Sequence, residues 1–309
     1  MKMRSDLIED AVKMLRDEGY LVSDCRGTRS CFDVLAKKDK VFVVKVLINV
    51  ESLNPKSAGE LNQVASIISA VPLVLGDHKK NTRLSNGIIY ARYGIGVVNL
   101  ETFEQIISEN FPVIYSVRGN YCVRIKSKLL SQIRKEMQLT QDELAHRLNV
   151  SKQSIHRYES TGRISLEIAQ RLIDLLKEDI TLAENPHPSG SLSQFESFPR
   201  KKEYCGLAPL KRRVMSELLN IGFSTYLTNA PFDLVAKYQR HQKRILSVVG
   251  NDLKTVSRKV EISEKITKIT GDLSICISEK EGEFDIPYIK PGELKNIGSA
   301  DELMEILFD

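Results

Sequence analysis

Apolar positions along the chain fall into helix and strand rhythms, and the order of those rhythms repeats. Leu7, Ile8, Ala11, Val12 and Leu15 recur at the three- and four-residue spacing of one helix face and stop before Gly19. Near-continuous apolar runs at residues 32–36, 41–48 and 72–75 read as buried strands, with a helical stretch at 59–69 before the last. A short strand at 96–99 leads into a helix at 101–108. Helix, strands, helix, strands in that order predicts an α/β domain.

From residue 122 to 182 the pattern turns wholly helical, and five short helices are expected. Leu129, Leu130 and Ile133 stripe the first. Thr140 and Glu143 form a T-x-x-E capping box for a helix with Leu144, Ala145 and Leu148 inward. Asn149-Val150 turns the chain, and Ser151 caps a helix that buries Ile155 and Tyr158 and ends at Gly162. Leu166, Ala169, Leu172, Ile173 and Leu176 stripe the last. Residues 183–206 are rich in Ser, Pro and Gly without apolar periodicity and read as an exposed linker.

The remainder, 207–309, repeats the beginning. Leu210, Val214, Met215 and Leu218 before Gly222-Phe223 match Leu7, Ala11, Val12 and Leu15 before Gly19-Tyr20, and 232–237 (FDLVAK) matches 32–37 (FDVLAK). The expected organisation is therefore an α/β domain at 1–121, a helical domain at 122–182, a linker at 183–206 and a second copy of the first domain at 207–309.

Composition narrows the function classes. Hydrophobic content of 42% and charged content of 28% belong to a soluble globular protein. The longest apolar run, 41–50, is interrupted by Lys45 and Asn49 and is too short to cross a bilayer. The charged first fifteen residues do not make a signal peptide, so a cytoplasmic protein is expected. Cys25, Cys31, Cys122, Cys205 and Cys276 form no C-x-x-C pair, which points to reduced thiols with no metal site, and no motif implies a cofactor. The net charge of +5 is mild, but Arg147, Lys152, Arg157 and Arg163 face only Glu159 within residues 146–163. That local basic excess suits a polyanion such as double-stranded DNA.

The helical block resembles the Cro/C1-type helix-turn-helix family over residues 128–177. The resemblance rests on Leu139-Thr140-Gln141-x-Glu143-Leu144-Ala145-x-x-Leu148-x-Val150-Ser151, then Ile155, Tyr158, Glu159 and Gly162. It implies that Ser151, Lys152, Gln153, Ser154, His156 and Arg157 face the DNA major groove, that Gln141 meets a phosphate, and that Glu159 is structural. The first block resembles the restriction-endonuclease-like superfamily, in which an acid on one strand and an acid-x-lysine on the next hold a divalent metal. Asp33 and Lys45 stand at two of those positions, but Val43 replaces the second acid; in the repeat Asp233 remains, with Leu246 and Val248 beyond it. Both copies read as degenerate scaffolds in which Asp33 and Asp233 cap or turn the chain.

The whole is similar to archaeal helix-turn-helix regulatory proteins. Its expected fold is mixed α/β, a central all-α helix-turn-helix domain between two duplicated nuclease-like domains. The expected function is a sequence-specific transcriptional regulator without enzymatic activity. It is expected to act as a homodimer, paired through the duplicated domains within or between chains, with transcription machinery as a further partner. Two other readings are a metal-dependent nuclease targeted by the helix-turn-helix and a protein-bridging coactivator or antitoxin-like module.

Overall fold

The computed structural model describes residues 3–183 and 208–308, so the expected linker lies outside the described residues. These residues fall into two units, one of 3–46, 53–73 and 208–308, the other of 47–52 and 74–183. No described helix is long and apolar enough to cross a membrane.

The first unit opens with α1 (Arg4–Asp17), whose Leu7, Ile8, Ala11, Val12 and Leu15 are buried as the spacing predicts. Next come β1 (Leu21–Asp24), β2 (Val34–Lys37) and β3 (Val41–Asn49), antiparallel neighbours with Leu21 opposite Lys37 and Val34 opposite Val44. The sequence reading lacks β1, in which only Ser23 is buried and no apolar alternation betrays a strand. Helix α2 (Pro55–Ile68), capped by the Asn54 side chain on Ser57 N–H, leads to β4 (Ala70–Lys79), which adjoins β3 in the sheet order.

The second unit takes up the chain from β4. Strands β5 (Thr82–Arg83), β6 (Ile88–Arg92) and β7 (Ile95–Val98) precede α3 (Leu100–Ile107), and β8 (Ile114–Val117) pairs parallel with β6. Strand β9 (Asn120–Ile125) then runs antiparallel to β8.

Four helices follow among the described residues, not five. They are α4 (Ser127–Glu136), α5 (Gln141–Leu148), α6 (Lys152–Thr161) and, after the short strand β10 (Arg163–Ser165), α7 (Leu166–Leu176). Strands β10 and β11 (Thr181–Leu182) both pair with β9, so the expectation of an all-helical block is corrected. Val123 and Ile125 of β9, Ile164 of β10 and Ile180 join Leu130, Leu144, Leu148, Ile155, Tyr158 and Leu172 in one core. The helices bury one side against strands of two to six residues, too short to show a period in sequence.

The first unit also holds the repeat: α8 (Pro209–Asn220), β12 (Ser224–Leu227), β13 (Leu234–Lys237), β14 (Arg244–Val249), α9 (Leu253–Thr270) and β15 (Leu273–Ile277). Its registers reproduce those of the first copy, with Ser224 opposite Lys237 and Leu234 opposite Ser247. Strand β15 pairs parallel with β14 across α9, and β16 (Tyr288–Ile289), α10 (Pro291–Leu294) and α11 (Ala300–Phe308) complete it. The fold is thus mixed α/β, with a helix-turn-helix between two copies of a helix–three-strand–helix–strand motif.

Candidate nucleic-acid interface and the carboxylate sites

Helix α5 begins at the capping box: Thr140 Oγ1 accepts from Glu143 N–H at 3.2 Å while Glu143 Oε2 accepts from Thr140 N–H at 2.7 Å. It ends at Asn149 in the left-handed region (φ 53°), which turns the chain for α6. Ser151 caps α6, accepting from Ser154 N–H at 3.2 Å, and the two hydroxyls lie 2.9 Å apart. Ser151 is thus engaged with its own helix terminus, and Ser154 is half-buried beside it.

Lys152, Gln153, His156 and Arg157 are exposed and share one face by their i, i+4 spacing, opposite buried Ile155 and Tyr158. The Arg157 guanidinium rests over the Tyr158 ring, 5.4 Å from its centroid.

What fixes α6 is a buried ion pair absent from the sequence reading. Glu159 accepts from Arg134 of α4 through both oxygens, at 2.6 and 3.2 Å, with both side chains about one-tenth exposed. Arg134 also donates to the Leu139 carbonyl at 2.8 Å, and Gln141 Nε2 of α5 donates to Glu159 at 2.7 Å. Three helices meet on one carboxylate, and its charge is offset from within. Burial pushes the Glu159 carboxyl up, but the hydrogen bonds from Arg134 and Gln141 and the guanidinium charge outweigh it and hold it below the usual range. Gln141 is therefore oriented by Glu159 at the first turn of α5. Nothing in the local pattern signals this contact, whose partners lie 25 and 18 residues apart.

Gly162 closes α6 with φ 66°, donating to the Tyr158 carbonyl, and its own carbonyl accepts from Ile125 N–H of β9 at 2.8 Å. A Cβ there would lie 2.6 Å from the Ile125 carbonyl oxygen and 2.7 Å from Ser127 Oγ. Gly162→Ala is expected to destabilise the helix-turn-helix by about 2–3 kcal/mol, read from urea unfolding by circular dichroism. A loss below half a kilocalorie would show that the strand junction yields freely.

The nuclease-like copies each bury a carboxylate at the predicted position. Asp33 is 6% exposed. Its Oδ2 accepts from Val46 N–H at 2.8 Å, and its Oδ1 accepts from Arg4 at 2.5 Å and Lys45 at 3.3 Å. Asp233 is 2% exposed. Its Oδ2 accepts from Val249 N–H at 3.0 Å, and its Oδ1 from Lys211 at 2.6 Å and Lys259 at 2.7 Å.

In each copy one oxygen anchors the next strand and the other takes two cations. This goes beyond capping or turning the chain. The cations come from non-equivalent positions, Arg4 and Lys45 in one copy, Lys211 and Lys259 in the other. What the two sites share is the need of a buried carboxylate for compensating charge. A divalent ion held in the superfamily's manner needs clustered acids. Val43 is fully buried where the second acid would stand, and Asp33 already faces two protein cations. Among the described residues no group of three or more His, Cys, Asp or Glu gathers. This donor set does not fit such an ion. Cys276 lies buried nearby, its thiol pushed up to about 12 by burial and then by the Asp233 charge.

Residues 4–113 match the PD-(D/E)XK superfamily domain and residues 130–182 a helix-turn-helix domain. The chain is 30% identical to a protein of Methanocaldococcus jannaschii named "Putative HTH-type transcriptional regulatory protein", covering 99% of this chain and 96% of that one. The chain belongs to this family of archaeal HTH-type transcriptional regulatory proteins. Proteins so named in Methanococcus maripaludis (30% identity, 99% of this chain and 97% of the relative) and Archaeoglobus fulgidus (28%, 99% and 98%) are covered to the same extent. Each of these alignments runs through both the nuclease-like and the helix-turn-helix parts of this chain. No solved structure matches. The nuclease-superfamily match corrects the expectation of a chain without enzymatic activity: that expectation rested on the missing second acid, and residues 4–113 are a domain of an enzyme superfamily all the same.

Proposed function

We propose that this protein is a sequence-specific DNA-binding transcriptional regulator that reads its operator with α6. The observation that carries this reading is the exposed face of Lys152, Gln153, His156 and Arg157 on a helix locked in place by Glu159 and Gly162. Gln153 suits a bidentate contact with adenine, and Arg157 or Lys152 suits guanine or phosphate. Ser151 and Ser154 at the helix start, and Gln141 held at the first turn of α5, suit the backbone phosphates. One such helix covers a short half-site, so the working form on DNA is a homodimer, with the transcription machinery as the further partner.

The test is a gel shift with the protein's own upstream region and competitor fragments across salt. Arg157→Ala and Gln153→Ala are each expected to weaken specific binding by about 1–3 kcal/mol while leaving the fold intact, and Lys152→Ala to reduce the salt slope by about one. Unchanged operator affinity in both of the first two variants would overturn the assignment.

The nuclease-superfamily match favours a second reading, cleavage of DNA by the domain at residues 4–113. Incubation with supercoiled and branched DNA plus magnesium or manganese tests it. Cleavage that disappears in Asp33→Ala would move it ahead of the first.

A further inference from the structure

The two nuclease-like copies touch through the long helix of each against strands and loops of the other. Helix α9 of the second copy lies along β1 and β2 of the first. Arg258 of α9 donates to the Arg26 carbonyl in the loop after β1 at 2.9 Å, and Lys37 at the end of β2 donates to the Thr270 carbonyl at the C-terminus of α9. The converse contacts are made by α2. Gln63 of α2 donates to the Leu227 carbonyl of β12, and Glu60 accepts from Asn229 in the loop after β12 at 2.9 Å. At the C-terminus of α2 the Ile67 carbonyl accepts from Arg244, which stands opposite Lys237 at the turn end of the β13–β14 hairpin.

Each copy's long helix therefore meets the other's first hairpin, and the C-terminal turn of each helix accepts from a basic side chain of the other copy, Lys37 of β2 in one case and Arg244 of β14 in the other. The matching elements exchange roles as in an isologous two-fold interface, though the residues that make the contacts differ between the halves.

Two further departures from symmetry make the pairing specific. The loop from β1 to β2 is longer than its counterpart, and the added chain around Gly27 receives Arg258, whose Nε lies 3.1 Å from where a Gly27 Cβ would be. Cys31 N–H donates to the Asn229 carbonyl at 2.7 Å, whereas its equivalent, Pro231, has no N–H to return the bond.

We infer that the two copies form a closed pseudo-dimer within one chain. This face is occupied in cis, is not available to a second molecule, and leaves one helix-turn-helix per nuclease-like pair. A homodimer on DNA then joins through some other surface. The inference does not depend on how α6 meets DNA.

Full-length chains carrying Glu60→Cys with Asn229→Cys, or Lys37→Cys with Thr270→Cys, place thiols on the two halves of the pseudo-two-fold. Treatment with a short bis-maleimide and denaturing electrophoresis reads the outcome. Cross-links within one chain are expected to exceed those between chains about a thousandfold at micromolar protein, with a within-chain yield independent of concentration, since the tethered copies see each other at an effective concentration on the order of millimolar. Cross-linked dimers from both pairs, rising with concentration, would show the copies pairing between chains and overturn the inference. So would the absence of any cross-link in variants whose circular dichroism matches the parent. If one pair fails to fold, the other reports on the opposite half of the same interface.

Discussion

Asp233→Ala is expected to lower the melting temperature of the nuclease-like unit by on the order of 10 °C, corresponding to a loss of about 3 kcal/mol. Asp233 has 3% of its side chain exposed, and removing it leaves the ammonium groups of Lys211 and Lys259 facing each other across the vacated site. It also leaves Val249 N–H without its acceptor where β14 ends. Lys211 is 31% exposed and can turn toward water, which keeps the loss at the lower end for a broken buried ion pair. Lys259, at 15%, has less freedom. Asp233→Asn keeps an oxygen for Val249 N–H but loses the charge, and an intermediate loss is expected. Adding Lys259→Met to Asp233→Ala is expected to recover part of the stability, because it removes one of the stranded cations. Differential scanning calorimetry of the parent, Asp233→Ala, Lys259→Met alone and the double variant gives the coupling directly. A purely additive pair would mean that Asp233 holds the strand and not the charge balance. Asp33→Ala should cost less, since the Arg4 side chain is 46% exposed and solvent can take over its charge.

What the sequence makes legible is what local chemistry determines. The capping box at Thr140, the αL turn at Asn149 and the spacing of Leu144, Leu148, Ile155 and Tyr158 all act within a few residues, and the helix-turn-helix follows from them. The repeat is legible for a related reason: α1 and α8, or β2 and β13, carry matching apolar positions that need no knowledge of their neighbours. Strands β1, β9, β10 and β11 are not legible. They are two to six residues long and owe their pairing to partners elsewhere, as Arg163 opposite Arg124 owes nothing to apolar alternation. The compensating cations escape for the same reason. Arg4 lies 29 residues from Asp33 and Lys259 lies 26 from Asp233, separations with no sequence period.

The duplicated copies show how a fold can keep a position while altering its surroundings. Asp33 and Asp233 stand at one place in the strand order and hold one backbone amide each, Val46 or Val249. A buried carboxylate at that junction ties the second strand to the third and so helps set the register of the hairpin. That contribution to stability is distinct from any chemistry and is present in both copies. The nuclease-like identity of residues 4–113 therefore rests on a scaffold whose retained acid has a structural task of its own.

Glu159→Ala should destabilise the central unit by about 3 kcal/mol and abolish specific DNA binding, although Glu159 is no part of the exposed face of α6. The Arg134 guanidinium would be left buried with only the Leu139 carbonyl as partner, and Gln141 would lose the acceptor that orients it. Both changes loosen α6 against α4 and α5, so the face bearing Gln153 and Arg157 no longer meets DNA as a preorganised surface. Glu159→Gln keeps an oxygen toward Arg134 but not the charge, and is expected to lie between the parent and the alanine variant. The pH dependence separates the charge from the contact. The folded-state carboxyl titrates below its unfolded value, so its stabilisation is complete above the usual glutamate range and fades as pH falls through that range toward the lower folded value. In Glu159→Gln this share of the acid-limb slope is expected to vanish while the neutral-pH loss remains. Urea unfolding of parent and variant from neutral to mildly acid pH measures both, and parallel acid limbs would mean that Glu159 acts through its hydrogen bonds alone.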